Sequence, residues 1–389
     1  MDRTTGRAAY RAVRDILVRH RDDYDAAVAT FRWPEIGTRF NWALDWFDGV
    51  AATNPRTALR IIGEDGTDRS YSFAEMAARS DRLATSLAAG GVAPGHRVMV
   101  MLGNQVELWE SMLAVMKLGA VVMPATTALG PKDVADRVGR GAVRHVITNA
   151  DQVDKFADIP GDFGRIAIGD ATPPWRLYRL ADAVALPSRL ITQTRADDPM
   201  LIYFTSGTTS QPKLVEHTHR SYPVGHLSTM YFLGLRPGDV HLNISSPGWA
   251  KHAWSSFFAP WIAEATILVY NYTPFRRIPL PDDAAAGRRH LRVRATDGVA
   301  HAHSGQSGIQ AAHAARGGRC GRTAEPRSHR ACPKALGSDH PRRVRADGDH
   351  GVDWQYSGFT GQARLDGAAA ARCCGGDRRP GERAARQRG

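Results

Sequence analysis

Cysteine is missing from the first 275 residues, because all four cysteines of the chain lie between residues 320 and 374. This excludes a disulfide scaffold for residues 1–275. No segment approaches the roughly 18 consecutive apolar residues that a membrane helix requires. The amino terminus, MDRTTGRAAYRAVRDILVRHRDD, also lacks the apolar run of a signal peptide. We therefore expect a cytoplasmic protein with no membrane span.

Acidic residues fail to balance the basic ones only in the last part of the chain. The 389 residues carry a formal charge of +12, which would ordinarily suggest nucleic acid or another acidic partner. Residues 1–275 hold 29 lysines and arginines against 28 acidic residues, whereas residues 276–389 hold 22 against 11. The excess positive charge is therefore a property of residues 276–389 and not of the whole chain.

Large apolar residues are also nearly missing from residues 276–389. That stretch holds only Trp354, Tyr356 and Phe359 of the 40 Met, Trp, Tyr and Phe residues, beside 21 arginines, 21 alanines and 17 glycines. So few large apolar side chains cannot offset the conformational entropy that ordering the backbone costs. We predict that residues 276–389 form a disordered tail rich in Arg, Ala and Gly.

The apolar periodicity of residues 70–275 predicts an α/β fold. Ser72 and Glu75 form the pattern of a capping box that begins a helix. An apolar strand pattern over 97–102 is followed by helical spacing over 106–118, and the alternation continues. Strands that alternate with helices predict parallel sheets covered by helices on both faces.

A connecting stretch at about 172–196 divides this region. We predict a first α/β subdomain over 1–195, and the start of a second over 196–275, where strands are expected at 200–204 and 240–244. The tail over 276–389 would follow.

A loop with unusual chemistry occupies residues 203–213, YFTSGTTSQPK. Hydroxyls and backbone N–H groups can surround a phosphate, and Gly207 permits its close approach. Lys213 supplies a point charge for phosphate oxygens. The string is not GxxxxGK[ST], so a kinase or GTPase mechanism does not follow from it. The alternative interpretation is a plain Ser/Thr turn between strands.

The string TSGTTxxPK after a strand resembles the phosphate loop of the adenylate-forming (AMP-binding) ligases. Residues 248–261, GWAKHAWSSFFAPW, resemble the acyl-pocket region of the medium-chain or acetyl-CoA synthetase-like acyl-CoA synthetases. Residues 40–43, FNWA, are similar to the start of the same subgroup. The resemblance covers about residues 38–275. It departs from the commonest family loop at Ser210, where that loop has glycine, but a serine can still donate to phosphate.

The resemblance implies an enzyme that activates a short- or medium-chain fatty acid with ATP and transfers the acyl group from an acyl-adenylate to coenzyme A. Mg²⁺ would shield the phosphate charge. Trp249 would line the acyl site, although a core aromatic is an equal interpretation of its spacing. By the same carry-over ATP would be bound by Thr205, Ser206, Gly207, Thr208, Thr209 and Lys213. No catalytic residue is assigned.

Metal sites are not predicted. His217, His219 and His226 have no Cys or carboxylate at ligand spacing. In the tail, His301, His303, Cys320 and Cys332 could be combined into a zinc site, but the sequence has no CxxC pair to support one.

Later motifs of the family do not appear after Phe275. If Arg345–Asp353 is written as CGG GCA GAC GGA GAC CAC GGC GTT GAC, a shift of one base reads GQTETTAL, a family motif. The same shift across Arg294–Gly305 permits APPTVWRMLIQ, another segment typical of these synthetases. We therefore predict that the chain leaves its ancestral reading frame just after Phe275 and is inactive or impaired as an enzyme.

Two other functions remain open from the sequence. The chain could be a non-catalytic remnant that binds nucleotide or acyl groups, or a basic protein that binds nucleic acid through its tail. Nucleic-acid-binding tails usually interleave lysines or aromatics with a recognisable module. No such module is visible, so we expect small-molecule substrates and no specific nucleic-acid partner. The sequence leaves the oligomeric state open.

Overall fold

The computed structural model describes residues 3–182, 186–187, 194–205, 212–271 and 291–295. Its parallel sheets flanked by helices confirm the predicted α/β fold class. The helices are α1 (Arg3–Arg19), α2 (Tyr24–Thr30), α3 (Asp48–Ala51), α4 (Phe73–Ala89), α5 (Val106–Lys117), α6 (Pro131–Arg140), α7 (Ser221–Leu233), α8 (Ala250–Ala253) and α9 (Ala259–Ile262). A π-helical segment, Trp42–Phe47, precedes α3, a second, Trp254–Phe258, joins α8 to α9, and a 3₁₀ helix spans Ala150–Phe156.

Twelve strands appear in the described part of the chain. They are β1 (Thr57–Gly63), β2 (Asp68–Ser72), β3 (Arg97–Met101), β4 (Val121–Pro124), β5 (His145–Asn149), β6 (Gly164–Ile168), β7 (Arg176–Leu177), β8 (Pro199–Thr205), β9 (Lys213–Thr218), β10 (Val240–Ile244), β11 (Thr266–Asn271) and β12 (Leu291–Ala295).

The strands form two sheets. The larger has the order β7-β6-β5-β3-β4-β8-β9, and all its pairs are parallel except β8 with β9. The smaller has the order β12-β10-β11-β1-β2, with β2 antiparallel to β1 and the other pairs parallel. Each sheet therefore ends, at one edge, in an antiparallel hairpin.

Several elements follow the local sequence signals. The Ser72 hydroxyl accepts a hydrogen bond from the Glu75 backbone N–H at 3.1 Å, and the Glu75 carboxylate accepts one from the Ser72 N–H at 2.7 Å, so the predicted capping box begins α4. The sequence predicts a further helix over about 221–233, and α7 spans Ser221–Leu233. The sequence does not predict strands β2 and β9, because hairpin strands with half-exposed, polar residues lack a strong apolar pattern.

Strand pairing crosses the boundary that the sequence analysis places after residue 195. β8 and β9 join the sheet of β3–β7, while β10 and β11 belong to the same sheet as β1 and β2, in which β11 pairs with β1. Parallel pairing is non-local, so a break in local periodicity does not mark a sheet boundary. Leu291–Ala295 likewise pairs with β10, and it is an ordered strand within the stretch predicted to be disordered. The remainder of 276–389 lies outside the described residues.

A cluster of aromatic side chains packs between the two sheets. Trp261 and Phe47 are fully buried with ring centroids 4.6 Å apart. The indole N–H of Trp46 donates to the Trp261 carbonyl at 3.1 Å, and that of Trp261 donates to the Ala58 carbonyl at 3.0 Å. Large rings with satisfied N–H groups make a rigid core, which fixes the relative position of the strand ends. Within the described ranges, no helix is long and apolar enough to cross a membrane.

Candidate active site

The ends of the predicted phosphate loop lie together on the β8–β9 hairpin. Met200 to Tyr203 are buried, so the middle of β8 is anchored in the core. Thr205 at the carboxyl end of β8 pairs with Lys213 at the start of β9, and Lys213 is exposed. The loop between them includes Ser206, Gly207, Thr208 and Thr209, which lie outside the described residues. The carboxyl ends of parallel strands are where open α/β sheets bind ligands.

The turn that carries Trp249 lies against the end of the strand next to β8. Gly248 has φ +93°, and a Cβ at this position would lie 2.2 Å from the backbone nitrogen of Thr126, just after β4. Only glycine permits both this conformation and this close approach. Because β4 pairs with β8, the contact brings the GW motif to the same edge as the loop hairpin.

Trp249 itself is 53% exposed. The structure therefore contradicts the core-aromatic interpretation of this residue. A half-exposed indole at the start of α8 is available to contact a ligand, and its part in acid binding stays a prediction.

The start of α8 is also tied to the sheet junction. The Nε2 atom of His252 lies 3.2 Å from Oδ1 of Asn104, in the loop after β3. The carbonyl of Asn104 accepts a hydrogen bond from Nδ2 of Asn271, at the end of β11, at 2.9 Å. Burial lowers the pKa of His252 to about 3, so the ring is neutral near pH 7. These bonds join the carboxyl ends of both sheets beside Trp249.

Of the three histidines near the hairpin, His217 and His226 both pack against the ring of Tyr222, with ring centroids 4.5 Å and 4.2 Å from it. His219 Nδ1 accepts a hydrogen bond from the Trp42 N–H at 3.3 Å. His226 Nδ1 lies 2.9 Å from the Thr229 hydroxyl, and burial lowers its pKa to about 3. Burial lowers the pKa of His217 to about 4. Within the described ranges, no group of three or more His, Cys, Asp and Glu could hold a metal ion.

Two arginines that the sequence analysis missed lie at the base of the loop. A guanidinium N–H of Arg140 donates to the Pro212 carbonyl at 2.6 Å. The guanidinium groups of Arg137 and Arg140 lie 5.3 Å and 5.6 Å from the centre of the Phe204 ring. Their spacing on a helix is visible in the sequence, but nothing in it shows which helix faces the loop.

The residues at this edge of the sheet carry positive charges that can bind a polyphosphate. Lys213 presents an exposed ammonium at the strand end, which can bind phosphate oxygens as a point charge. The adjacent arginines add positive charge, although Arg140 also pairs with Asp136 at 3.1 Å. The described geometry is thus compatible with the predicted ATP site.

Comparison with known proteins defines the class of the molecule. The sequence model of the family described as AMP-binding enzyme matches residues 47–301. The chain belongs to this family, which confirms the resemblance. The match runs past Phe275, where the sequence analysis places the change of reading frame.

The particular relatives are acid–CoA ligases. The chain is 33% identical to 4-hydroxybutyrate–CoA ligase 1 of Metallosphaera sedula over 239 residues, which covers 60% of this chain and 42% of that protein. It is 34% identical to the mitochondrial acyl-coenzyme A synthetase ACSM5 of Rattus norvegicus over 262 residues, which covers 63% and 45%. The crystal structure of an acyl-CoA synthetase from Brucella canis matches with a TM-score of 0.55 and 26% identity, over 64% of this chain and 48% of that one. The chain thus spans less than half the length of these relatives.

Proposed function

We propose that the edge formed by the loop hairpin and the Gly248 turn binds ATP and an organic acid for adenylate formation. The acid carboxylate would form a bond to the α-phosphorus, and the bond from that phosphorus to pyrophosphate would break. Coenzyme A would then take the acyl group as a thioester, releasing AMP. The observation that supports this most is that Thr205 and Lys213 pair across β8 and β9, while the GW turn contacts Thr126 just after the neighbouring strand β4.

Each motif residue has a role in this proposal. Lys213 and the hydroxyl of Thr205 would hold phosphate oxygens together with Ser206, Gly207, Thr208 and Thr209. Trp249 would contact the acyl part of the acid. Mg²⁺ would reduce the repulsion between phosphate and carboxylate; the described residues identify no ligands for it, and no step above depends on their identity.

The acid we propose is a short- or medium-chain fatty acid. This choice follows the medium-chain resemblance of residues 248–261, and the similarity to a 4-hydroxybutyrate–CoA ligase makes a short hydroxy acid the natural comparison. ATP–pyrophosphate exchange measured with butyrate, hexanoate, octanoate and 4-hydroxybutyrate would rank the substrates. Exchange that requires the acid and is lost in Lys213→Ala would support adenylate formation.

A non-catalytic remnant is the competing function. It predicts ATP binding by calorimetry with no acid-dependent exchange of pyrophosphate. Nucleic-acid binding through the tail predicts instead an affinity for RNA or DNA that depends on sequence or shape at fixed salt, since charge alone gives only salt-dependent attraction.

Complete thioester formation should need the family motifs that a single-base shift reveals. We expect the 389-residue protein to release little or no acyl-CoA. Deleting one base after the Phe275 codon should restore GQTETT in frame and raise thioester formation, provided that the gene continues in that frame. Robust acyl-CoA synthesis by the unaltered protein would contradict the frameshift hypothesis.

A further inference from the structure

The helix α6 is fixed beside the loop hairpin by its apolar face. Val134 and Val138 are buried in a core cluster that also contains Ile202 of β8. Phe204 and Leu214, which pair across the hairpin, pack against the same cluster. The helix cannot shift relative to the hairpin without opening this apolar contact.

The neighbouring face of α6 presents two arginines to the points where the loop begins and ends. Phe204 is the residue before Thr205, and its ring lies 5.3 Å from the Arg137 guanidinium and 5.6 Å from that of Arg140. A cation at this distance from an aromatic ring is attracted to the ring by a cation–π interaction. One end of the loop is therefore held through Phe204.

The other end is held through Pro212, the residue before Lys213. Proline has no backbone N–H, so a side chain can form a hydrogen bond only with its backbone carbonyl. The Nη2 atom of Arg140 donates to this carbonyl at 2.6 Å, while its Nη1 atom lies 3.1 Å from a carboxylate oxygen of Asp136. A planar guanidinium can make these contacts at once, whereas an ammonium is a point charge with no such plane.

We infer that Arg137 and Arg140 clamp both ends of the phosphate loop to α6, with Arg140 as the main positioning residue. A loop that must surround a phosphate gains affinity when its ends are held before the ligand arrives, because less entropy is lost on binding. The gain in affinity for a phosphate ligand rests on the proposed function, whereas the contacts of the clamp exist in the protein without any ligand.

Hydrogen exchange without any ligand tests the clamp directly. In Arg140→Gln, the amides in a peptide covering residues 204–214 should exchange about tenfold faster, the effect of losing one charge-assisted hydrogen bond. Arg140→Lys should recover part of the protection. Arg144→Gln, an exposed arginine just beyond α6, serves as the matched control and should leave the peptide unchanged.

Titration of the same proteins with MgATP separates the clamp from a direct ligand contact. The clamp predicts that Arg140→Gln weakens ATP binding and also speeds exchange in the free protein. Weaker binding with unchanged exchange would make Arg140 a ligand contact and overturn the clamp, as would equal exchange in all four proteins. If the wild type binds no ATP, the proposed function fails, and the exchange data still decide the clamp.

Discussion

The two edge hairpins of this protein differ in what holds their turns. The β1–β2 hairpin turns at Glu64–Thr67 and is held largely from within: the Gly63 N–H donates to the Thr67 carbonyl at 2.8 Å, and the Thr67 hydroxyl donates to the Asp65 carboxylate at 2.7 Å. The β8–β9 hairpin is held at both ends by arginines of α6. The first turn thus bonds its own polar groups, whereas the second hairpin is supported by side chains of a neighbouring helix.

Composition does not separate these two hairpins. Residues 64–67, EDGT, and residues 206–212, SGTTSQP, both consist largely of polar residues and glycine, which are typical of ordinary turns. The contacts with α6 set the second one apart. Support from α6 is therefore the observed difference between the two hairpins, and the following changes test what it does.

Gly248→Ala should have the largest effect. A Cβ at this position meets the Thr126 backbone at 2.2 Å, and φ is +93°, so we expect a loss of about 3 kcal/mol or more in the free energy of unfolding. Gly66→Ala in the β1–β2 turn is the control: its φ is +84°, but no atom lies within 4 Å of the added Cβ. That change should cost only about 1–2 kcal/mol. Urea denaturation measures the free energy of unfolding of both variants. Equal losses would contradict the close contact between Gly248 and the Thr126 backbone.

Lys213→Ala should weaken ATP binding without unfolding the hairpin. Removing one charge-assisted contact is expected to cost about 1.5–3 kcal/mol of binding free energy. Arg69→Ala removes an exposed cation from β2 of the other hairpin and should leave the affinity unchanged. Calorimetric titration with MgATP measures the affinity of the wild type and of each variant. Equal affinities for wild type and Lys213→Ala would show that the loop is only a plain turn.

Acid should destabilise the region around the loop hairpin. Burial lowers the pKa of His226 to about 3 and that of His217 to about 4, so both rings stay neutral in the folded protein while the unfolded chain binds protons below about pH 6.5. Stability is thus full above pH 6.5 and falls as the pH drops toward the folded-state values. For His226 the loss at pH 5 is about 2 kcal/mol.

His226→Gln removes this titration and is tested by urea denaturation at pH 7 and pH 5. The difference in unfolding free energy between the two pH values should shrink, whatever the variant does to stability at pH 7. His217→Gln should shrink it too, by a smaller amount because that ring is less buried. The β1–β2 hairpin contains no histidine. An unchanged difference in both variants would show that these rings are not neutral in the fold.

Asp65→Asn should have the smallest effect. Hydrogen bonds from Thr67 lower the pKa of the Asp65 carboxyl, so the contribution of the carboxylate is present above its ordinary pKa and is lost as the pH falls through the lowered value. An asparagine oxygen can still accept from Thr67 at pH 7. Hydrogen exchange should change only within residues 63–68, and MgATP affinity should be the same. A change that reached residues 204–214 would mean that the two hairpins are coupled.

Local sequence signals are sufficient for elements whose physics is local. The capping box at Ser72 and Glu75 begins α4, and the apolar spacing over 106–118 predicts the position of α5 to within a residue. The ordered motif TSGTTxxPK is sufficient by itself to indicate the family, because that string combines a strand end, a phosphate-binding composition and a lysine at one spacing. The roles of its individual residues remain predictions.

Contacts between distant segments are decided only by the tertiary structure. Which strands share a sheet, that Gly248 rests on Thr126, and that Arg140 reaches Pro212 each join residues tens of positions apart. Periodicity and capping act over a few residues, so they determine where a helix or strand forms. Parallel pairing and packing depend on side-chain shape and burial across the whole chain, and they determine which of those elements surround the site.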